Sequence, residues 1–208
     1  PVFATDVDGD ALTLAAGGDN VSTSFDGTQL TVIPDENYNG DVEITVEAND
    51  GEYTGSTTFT LTVTPVNDAP SLATLSDAEI NEDGIYVLQL SGADVDGDAL
   101  TFQASVDGNG SVSVDGSTLT VTPVQDFNGD IEVSVLASDG QASGSGTFIL
   151  TVTPVNDAPV LEEIANQTTD EDSSLTIPVF ATDVDGDELT LSASGNNVTT
   201  SFDGTQLT

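Results

Sequence analysis

No lysine, arginine or histidine occurs among these 208 residues, while aspartate and glutamate number 37. No side chain can therefore neutralise a carboxylate, and the compensating cation has to come from solution. Cysteine is also absent, which excludes a disulfide framework and thiol chemistry. Without His, Cys or Lys, acid–base work is left to paired carboxylates or a metal-bound water, and the chain is read as non-enzymatic. No run of about 18 apolar residues is present, so no transmembrane helix is expected, and no signal peptide is visible. The negative charge opposes nucleic acid and unaided binding to anionic membranes. Tryptophan is missing, and Tyr38, Tyr53, Tyr86 and the phenylalanines read as core or strand residues rather than a sugar-stacking platform.

What is present is repetition, which sets the domain organisation before any other prior. Asp6-Val7-Asp8-Gly9-Asp10 returns as Asp94-Val95-Asp96-Gly97-Asp98 and as Asp183-Val184-Asp185-Gly186-Asp187, at spacings of 88 and then 89 residues. Thr64-Pro65-Val66-Asn67-Asp68-Ala69-Pro70 returns as Thr153-Pro154-Val155-Asn156-Asp157-Ala158-Pro159. Such a period is a whole small domain, too long for a solenoid. Residues 1–31 reappear as 178–208 with five changes, and there is no initiator methionine, so the chain reads as a segment of a longer array. Boundaries near Asn67 and Asn156 give a partial domain over 1–66, a complete one over 67–155 and a partial one over 156–208.

Halophilic adaptation or simple solubility would also produce an acidic chain, but would scatter the carboxylates. Here they recur at fixed positions beside glycine. Three carboxylates at alternate positions suit a hard divalent ion that takes several oxygen ligands in irregular geometry, with calcium as the leading candidate. Gathered without an ion they repel one another, so metal binding and folding should be coupled. Glycine fourth and no glutamate twelfth exclude an EF-hand loop.

Hydrophobic residues make up 37% of the chain and alternate strictly, which disorder does not produce. Val42, Ile44, Val46 and Ala48 face one way, as do Phe59, Leu61 and Val63; Ile131, Val133, Val135 and Ala137, then Phe148, Leu150 and Val152, repeat both patterns. Asp26-Gly27, Asp115-Gly116 and Asp203-Gly204, with Asn39-Gly40 and Asn128-Gly129, supply the positive φ angles of tight hairpins. In the first three pairs the aspartate is read as a turn former rather than a ligand. About seven short strands per repeat predict an all-β fold of tandem antiparallel immunoglobulin-like sandwiches. Pro65, Pro70, Pro154 and Pro159 make each linker a semi-rigid hinge.

Other acidic groups keep a fixed offset from the triple-aspartate motif: Asn67-Asp68 and Asn156-Asp157 in the linkers, Glu82-Asp83 and Glu171-Asp172 near the first strand, and the Asp-Gly pairs at Asp50 and Asp139. This order resembles the cadherin repeat, particularly the cadherin-like tandem domains of large bacterial surface adhesins. The resemblance covers essentially the whole chain. It implies an elongated array of cadherin-like sandwiches whose joints are stiffened by Ca2+. For the second joint it implies Glu82, Asn156 (through its carbonyl), Asp157, Asp183 and Asp185 as ligands, with Asp187 a weaker addition. For the first it implies Asn67, Asp68, Asp94, Asp96 and Asp139, with Asp98 in the place of Asp187. Asp6, Asp8 and Asp50 then serve a joint upstream and Glu171 one downstream.

The linkers depart from the animal pattern, with Pro65 or Pro154 for the first aspartate and Ala69 or Ala158 for the second asparagine. The Asp-Arg-Glu element is missing, with only Asp126 or Asp35 nearby. One or two ions per joint are expected rather than three, with dissociation constants of roughly 10⁻⁴ to 10⁻³ M. Such sites fill only where calcium is millimolar, hence outside the cell. The implied function is a calcium-rigidified extender in a long extracellular adhesin or surface filament with a structural role in adhesion or biofilm. Its partners are neighbouring repeats, with self-association into fibres as a variant; the alternative is a carbohydrate-binding module with a polysaccharide partner.

Overall fold

Alternation of apolar and polar residues drives strands throughout, and no helix forms among the described residues. The computed structural model describes residues 1–196, 198–202 and 206–207, so the expected Asp203-Gly204 turn lies outside the described residues. In the first repeat the strands are β1 (Thr13–Gly17), β2 (Val21–Asp26), β3 (Gln29–Pro34), β4 (Gly40–Asn49) and β5 (Thr54–Val63). They form one sheet in the order β1-β4-β5 and a β2-β3 hairpin. The second repeat holds β6 (Ser71–Leu72), β7 (Ala78–Asn81), β8 (Tyr86–Gln89), β9 (Gly92–Ala93), β10 (Thr101–Val106), β11 (Gly110–Asp115), β12 (Thr118–Pro123), β13 (Gly129–Ser138) and β14 (Ser143–Thr153). Its sheets run β10-β13-β14-β7, β11-β12-β8 and β6-β9. The third repeat contributes β15 (Val160–Leu161), β16 (Ile177–Pro178), β17 (Ala181–Thr182) and β18 (Gln206–Leu207), paired as β15-β17 and β16-β18.

The chain divides into two compact units. One comprises Pro1–Ala73, Leu90–Phe102 and Leu136–Ser145; the other comprises Thr74–Gln89, Gln103–Val135 and Gly146–Thr208. In the first unit Val42, Ile44 and Val46 of β4 are buried against Val21, Phe25, Leu30, Val32 and Leu61. In the second, Leu119, Val121, Ile131, Val133, Leu150 and Val152 are fully buried. Each such side chain contributes about 1.5–3 kcal/mol of transfer free energy, so the alternation read from the sequence is also where the stabilisation lies.

β7 runs parallel to β14, with Leu150 opposite Ala78 and Thr153 opposite Asn81. Just before that ladder, Asp77 Oδ1 accepts the Ile149 N–H at 2.8 Å and continues the edge with a side chain. Beside this cover Phe148 is 2% exposed and its ring packs on Tyr86 at 5.8 Å, whereas Phe59 of β5 is 43% exposed. β5 has no sheet partner beyond β4 among the described residues.

The expected hairpins at Asp26-Gly27 and Asp115-Gly116 form, joining β2 to β3 and β11 to β12 through two-residue loops. Asn39-Gly40 and Asn128-Gly129 are different. Their glycines do adopt positive φ, but they open β4 and β13, where the chain passes from one sheet to another instead of turning back on itself. A glycine at positive φ therefore marks a sheet crossover here and not a hairpin tip.

Candidate metal centre

Each triple-aspartate loop is folded by its first carboxylate. Asp94 Oδ1 accepts the N–H groups of Asp96 and Asp98 at 2.9 and 3.2 Å, and Asp183 Oδ1 accepts those of Asp185 and Asp187 at 3.0 and 3.2 Å. Asp6 does the same for Asp8, Gly9 and Asp10. Gly97 and Gly186 complete the turn at φ +83° and +80°, a conformation that an L side chain resists.

The second aspartate of each loop then reaches the preceding linker. Asp185 Oδ2 accepts the Asp157 N–H at 2.7 Å, and Asp96 Oδ2 accepts the Asp68 N–H at 2.8 Å. Linker and loop are thus tied together in both repeats by the same bond. In each linker the asparagine amide donates to the carbonyl of the following aspartate, Asn67 Nδ2 at 2.9 Å and Asn156 Nδ2 at 2.8 Å.

Glu82 follows β7, and its main-chain N–H continues the β7–β14 ladder by donating to Thr153 O at 2.9 Å. That places its side chain beside the second linker, where Oε1 accepts the Val155 N–H. Glu82 is only 7% exposed, buried without any basic side chain in the protein to pair with. Oxygens of Glu82, Asp157 and Asp185 lie within 4.8 Å of one another, and so do oxygens of Asp83, Asp126 and Asp157. Asp157 is common to both groups. Burial pushes its carboxyl above the ordinary range, and the charges of Asp126, Asp185, Glu82 and Asp83 push it further. Its Oδ2 is buried without a hydrogen-bond partner, as is Asp94 Oδ2 in the other unit.

Buried carboxylates are expected to be paired or to coordinate a metal. Two trios that share Asp157, whose Oδ2 is orphaned, have the donor chemistry of a calcium site: all oxygen, anionic and irregular. It offers no nitrogen or sulfur ligand of the kind zinc prefers. The residues present therefore fit calcium.

Of the residues expected at the second joint, Glu82, Asp157 and Asp185 converge, Asn156 adjoins Asp157, and Asp183 shapes the loop through Oδ1. At the first, Asp68 meets Asp96 and Asn67 meets Asp139 at 3.0 Å, but no three carboxylates converge there among the described residues. Asp98 and Asp187 are exposed and contribute main-chain N–H groups. Glu171 is exposed, and Asp6, Asp8 and Asp50 meet no further carboxylate group among the described residues. Asp50 accepts the N–H groups of Glu52 and Tyr53, and these bonds, Tyr53 first, hold its carboxyl below the ordinary range.

Asp126 and Asp83 are the members that sequence reasoning undervalued. The Asp126 N–H donates to Asp83 Oδ1 at 3.2 Å, and both residues adopt positive φ. A signal was available: Asn37 stands one repeat before Asp126 and adopts the same backbone conformation.

Residues 66–153 match the model of the cadherin-like domain, and residues 1–64 and 156–208 match that of the bacterial Ig domain. Chitinase A of Pseudoalteromonas piscicida is 30% identical over 154 residues, which are 72% of this chain and 19% of that protein. The chain thus spans about a fifth of this curated relative. Among solved structures, human protocadherin-24 EC1-2 is 14% identical with a TM-score of 0.45, covering 75% of this chain and 87% of that one. An endo-fucoidan hydrolase of glycoside hydrolase family 107 is 23% identical with a TM-score of 0.34, covering 71% of this chain and 24% of that one.

Proposed function

The chain belongs to the bacterial Ig and cadherin-like domains, and from that premise we propose that it is a run of calcium-binding extender domains in a long extracellular surface protein. Domains of these families are typically non-enzymatic and extracellular, and no helix among the described residues is long and apolar enough to cross a membrane. The observation that carries the reading is the pair of carboxylate trios, Glu82–Asp157–Asp185 and Asp83–Asp126–Asp157, that share Asp157 without a counter-charge.

Calcium would supply the positive charge that the chain lacks. Glu82, Asp157 and Asp185 would hold it, with Asp83 and Asp126 forming a second trio with Asp157. The Asp157–Asp185 bond sets the distance between linker and loop beforehand. Asp68, Asp94 and Asp96 form a second, sparser set, in which the orphaned Asp94 oxygen is the leading ligand. In this reading the repeats 1–66, 67–155 and 156–208 are successive domains, and neutralised linkers turn a flexible string into a rod. Affinities of roughly 10⁻⁴ to 10⁻³ M match millimolar extracellular calcium.

The test is small-angle scattering and thermal melting of the chain, titrated with calcium after chelation and repeated with magnesium. Elongation and stabilisation at millimolar calcium, with a weaker magnesium response, are expected. Equal behaviour with and without calcium would sink the reading and leave the carboxylates a solvating role.

The chitinase match favours a second reading, in which the same domains space the parts of a polysaccharide-degrading enzyme. The neighbouring domains in the gene distinguish the two: further repeats and an adhesive end domain for the filament, a catalytic domain for the spacer.

A further inference from the structure

Three of the roughly four lone-pair positions of the Asp139 carboxylate are already taken. Its Oδ1 accepts the main-chain N–H groups of Gln141 and Ala142, both at 2.6 Å. Its Oδ2 accepts Asn67 Nδ2 at 3.0 Å, from a residue 72 positions earlier. The Asn67 side-chain oxygen in turn accepts Gln141 Nε2 at 2.9 Å. Three side chains and one turn thus close a hydrogen-bonded ring that includes Asn67 of the first linker.

We propose that Asp139, Asn67 and Gln141 form a cation-independent clamp on the first linker, with Asp139 acting as its anchor and not as a calcium ligand, and with Gln141 as the residue that makes this so. In a chain without Lys, Arg or His, the side-chain N–H donors are the carboxamides of Asn and Gln. Asp139 has recruited one of them, directly through Asn67 and supported by Gln141. Within the same unit Asp94 keeps a buried Oδ2 without a partner. The unmet demand for positive charge is therefore at Asp94, which has a buried oxygen without a donor, while both oxygens of Asp139 already accept N–H groups.

The first repeat shows what Gln141 changes. Asp50 folds the same turn, accepting the N–H groups of Glu52 and Tyr53 at 2.7 and 2.6 Å. The residue in the place of Gln141 is there Glu52, a carboxylate that has no proton to donate to an asparagine oxygen. One exchange of carboxylate for carboxamide turns a position that repels its acidic surroundings into one that closes a hydrogen-bond ring.

Hydrogen exchange on the whole 208-residue chain in excess chelator tests this, read at the amides of Val66, Asn67, Asp68 and Ala69. Gln141→Ala should raise exchange there about fivefold, as expected for one lost hydrogen bond, while the β4 and β13 amides stay unchanged. Gln141→Glu should show the same loosening in chelator and recover protection on calcium addition. The calcium midpoint should be equal in wild type and Gln141→Ala. Unchanged linker exchange in Gln141→Ala would overturn the clamp. So would a tenfold loss of calcium affinity in Asp139→Asn, which identifies Asp139 as a ligand. The chelated measurement involves no calcium, so its failure is separate from failure of the calcium-rod reading.

Discussion

The main-chain N–H of Asp157 is bonded to Asp185 Oδ2 at 2.7 Å, across 28 residues of chain, and both side chains belong to one carboxylate group. One oxygen of Asp185 thus fixes the linker, while Asp157 keeps a buried Oδ2 without a partner. Structural tie and candidate ligand are the same side chain. Asp185→Asn keeps an acceptor for the amide but removes a charge. It should lower calcium affinity by about tenfold, near 1.4 kcal/mol, and reduce the calcium-induced gain in melting temperature accordingly. In chelator the variant should be unchanged or slightly more stable. Equal effects with and without calcium would count against ligation, and the same comparison applies to Asp183→Asn.

Glu82 is the buried member of the group, so its substitution separates charge from hydrogen bonding. Glu82→Gln retains an acceptor for the Val155 N–H and relieves like-charge repulsion. Its melting temperature in chelator should rise, while the calcium response weakens. Glu82→Ala orphans the Val155 N–H and should lose on the order of 1–3 kcal/mol in chelator as well. If Gln and Ala behave alike in chelator, the carboxylate is not held against its neighbours.

Acidity separates two kinds of carboxylate. Asp157 is held above its ordinary value of 3.8, first by burial, so the folded chain binds its proton more tightly than the unfolded chain does. Lowering pH from neutral through its folded value therefore adds stability to the chelated chain. Asp50 and Asp139 are held below 3.8, first by the N–H groups of Tyr53 and Ala142. Their contribution is complete above 3.8 and is lost as pH falls through their folded values. Melting in chelator should accordingly improve on acidification towards pH 4 and decline below it. Asp157→Asn should diminish the improvement and leave the decline. A monotonic fall in the wild type would contradict the assignment.

Gly186 stands at φ +80°, and a Cβ there would meet nothing within 4 Å. The cost of Gly186→Ala is then backbone strain alone, about 1–2 kcal/mol. That strain falls on the loop which presents Asp185, so the calcium-induced gain in melting temperature should shrink. A full calcium response in this variant would show that the loop reaches the ion without that turn.

The strands were legible because a period of two assigns Ile131, Val133 and Val135 to one face wherever that face is covered. The triple-aspartate loops were legible because three copies fix the same spacing. What spacing does not encode is which lone pairs are occupied. Asp139 and Asp94 look equivalent as acidic residues, yet one has three N–H donors and the other a bare buried oxygen. Asp126 was hidden for a related reason: it joins the group through a loop that only the folded sandwich brings beside Asp83. Asn39-Gly40 misled because positive φ serves a crossover as readily as a hairpin.

Phe148 and Phe59 hold the same position in successive repeats, and their environments differ through β7 and β8. Phe148 is 2% exposed beside Tyr86, so Phe148→Ala should cost about 3–5 kcal/mol of the second unit's stability. Phe59 is 43% exposed and already forgoes much of that burial, so Phe59→Ala should cost less than half as much. The two compact units need not unfold together, so denaturation has to be followed by exchange at β4 and β12 separately instead of by a single global signal. Equal losses at the two phenylalanines would mean that the open face of β5 is covered in solution.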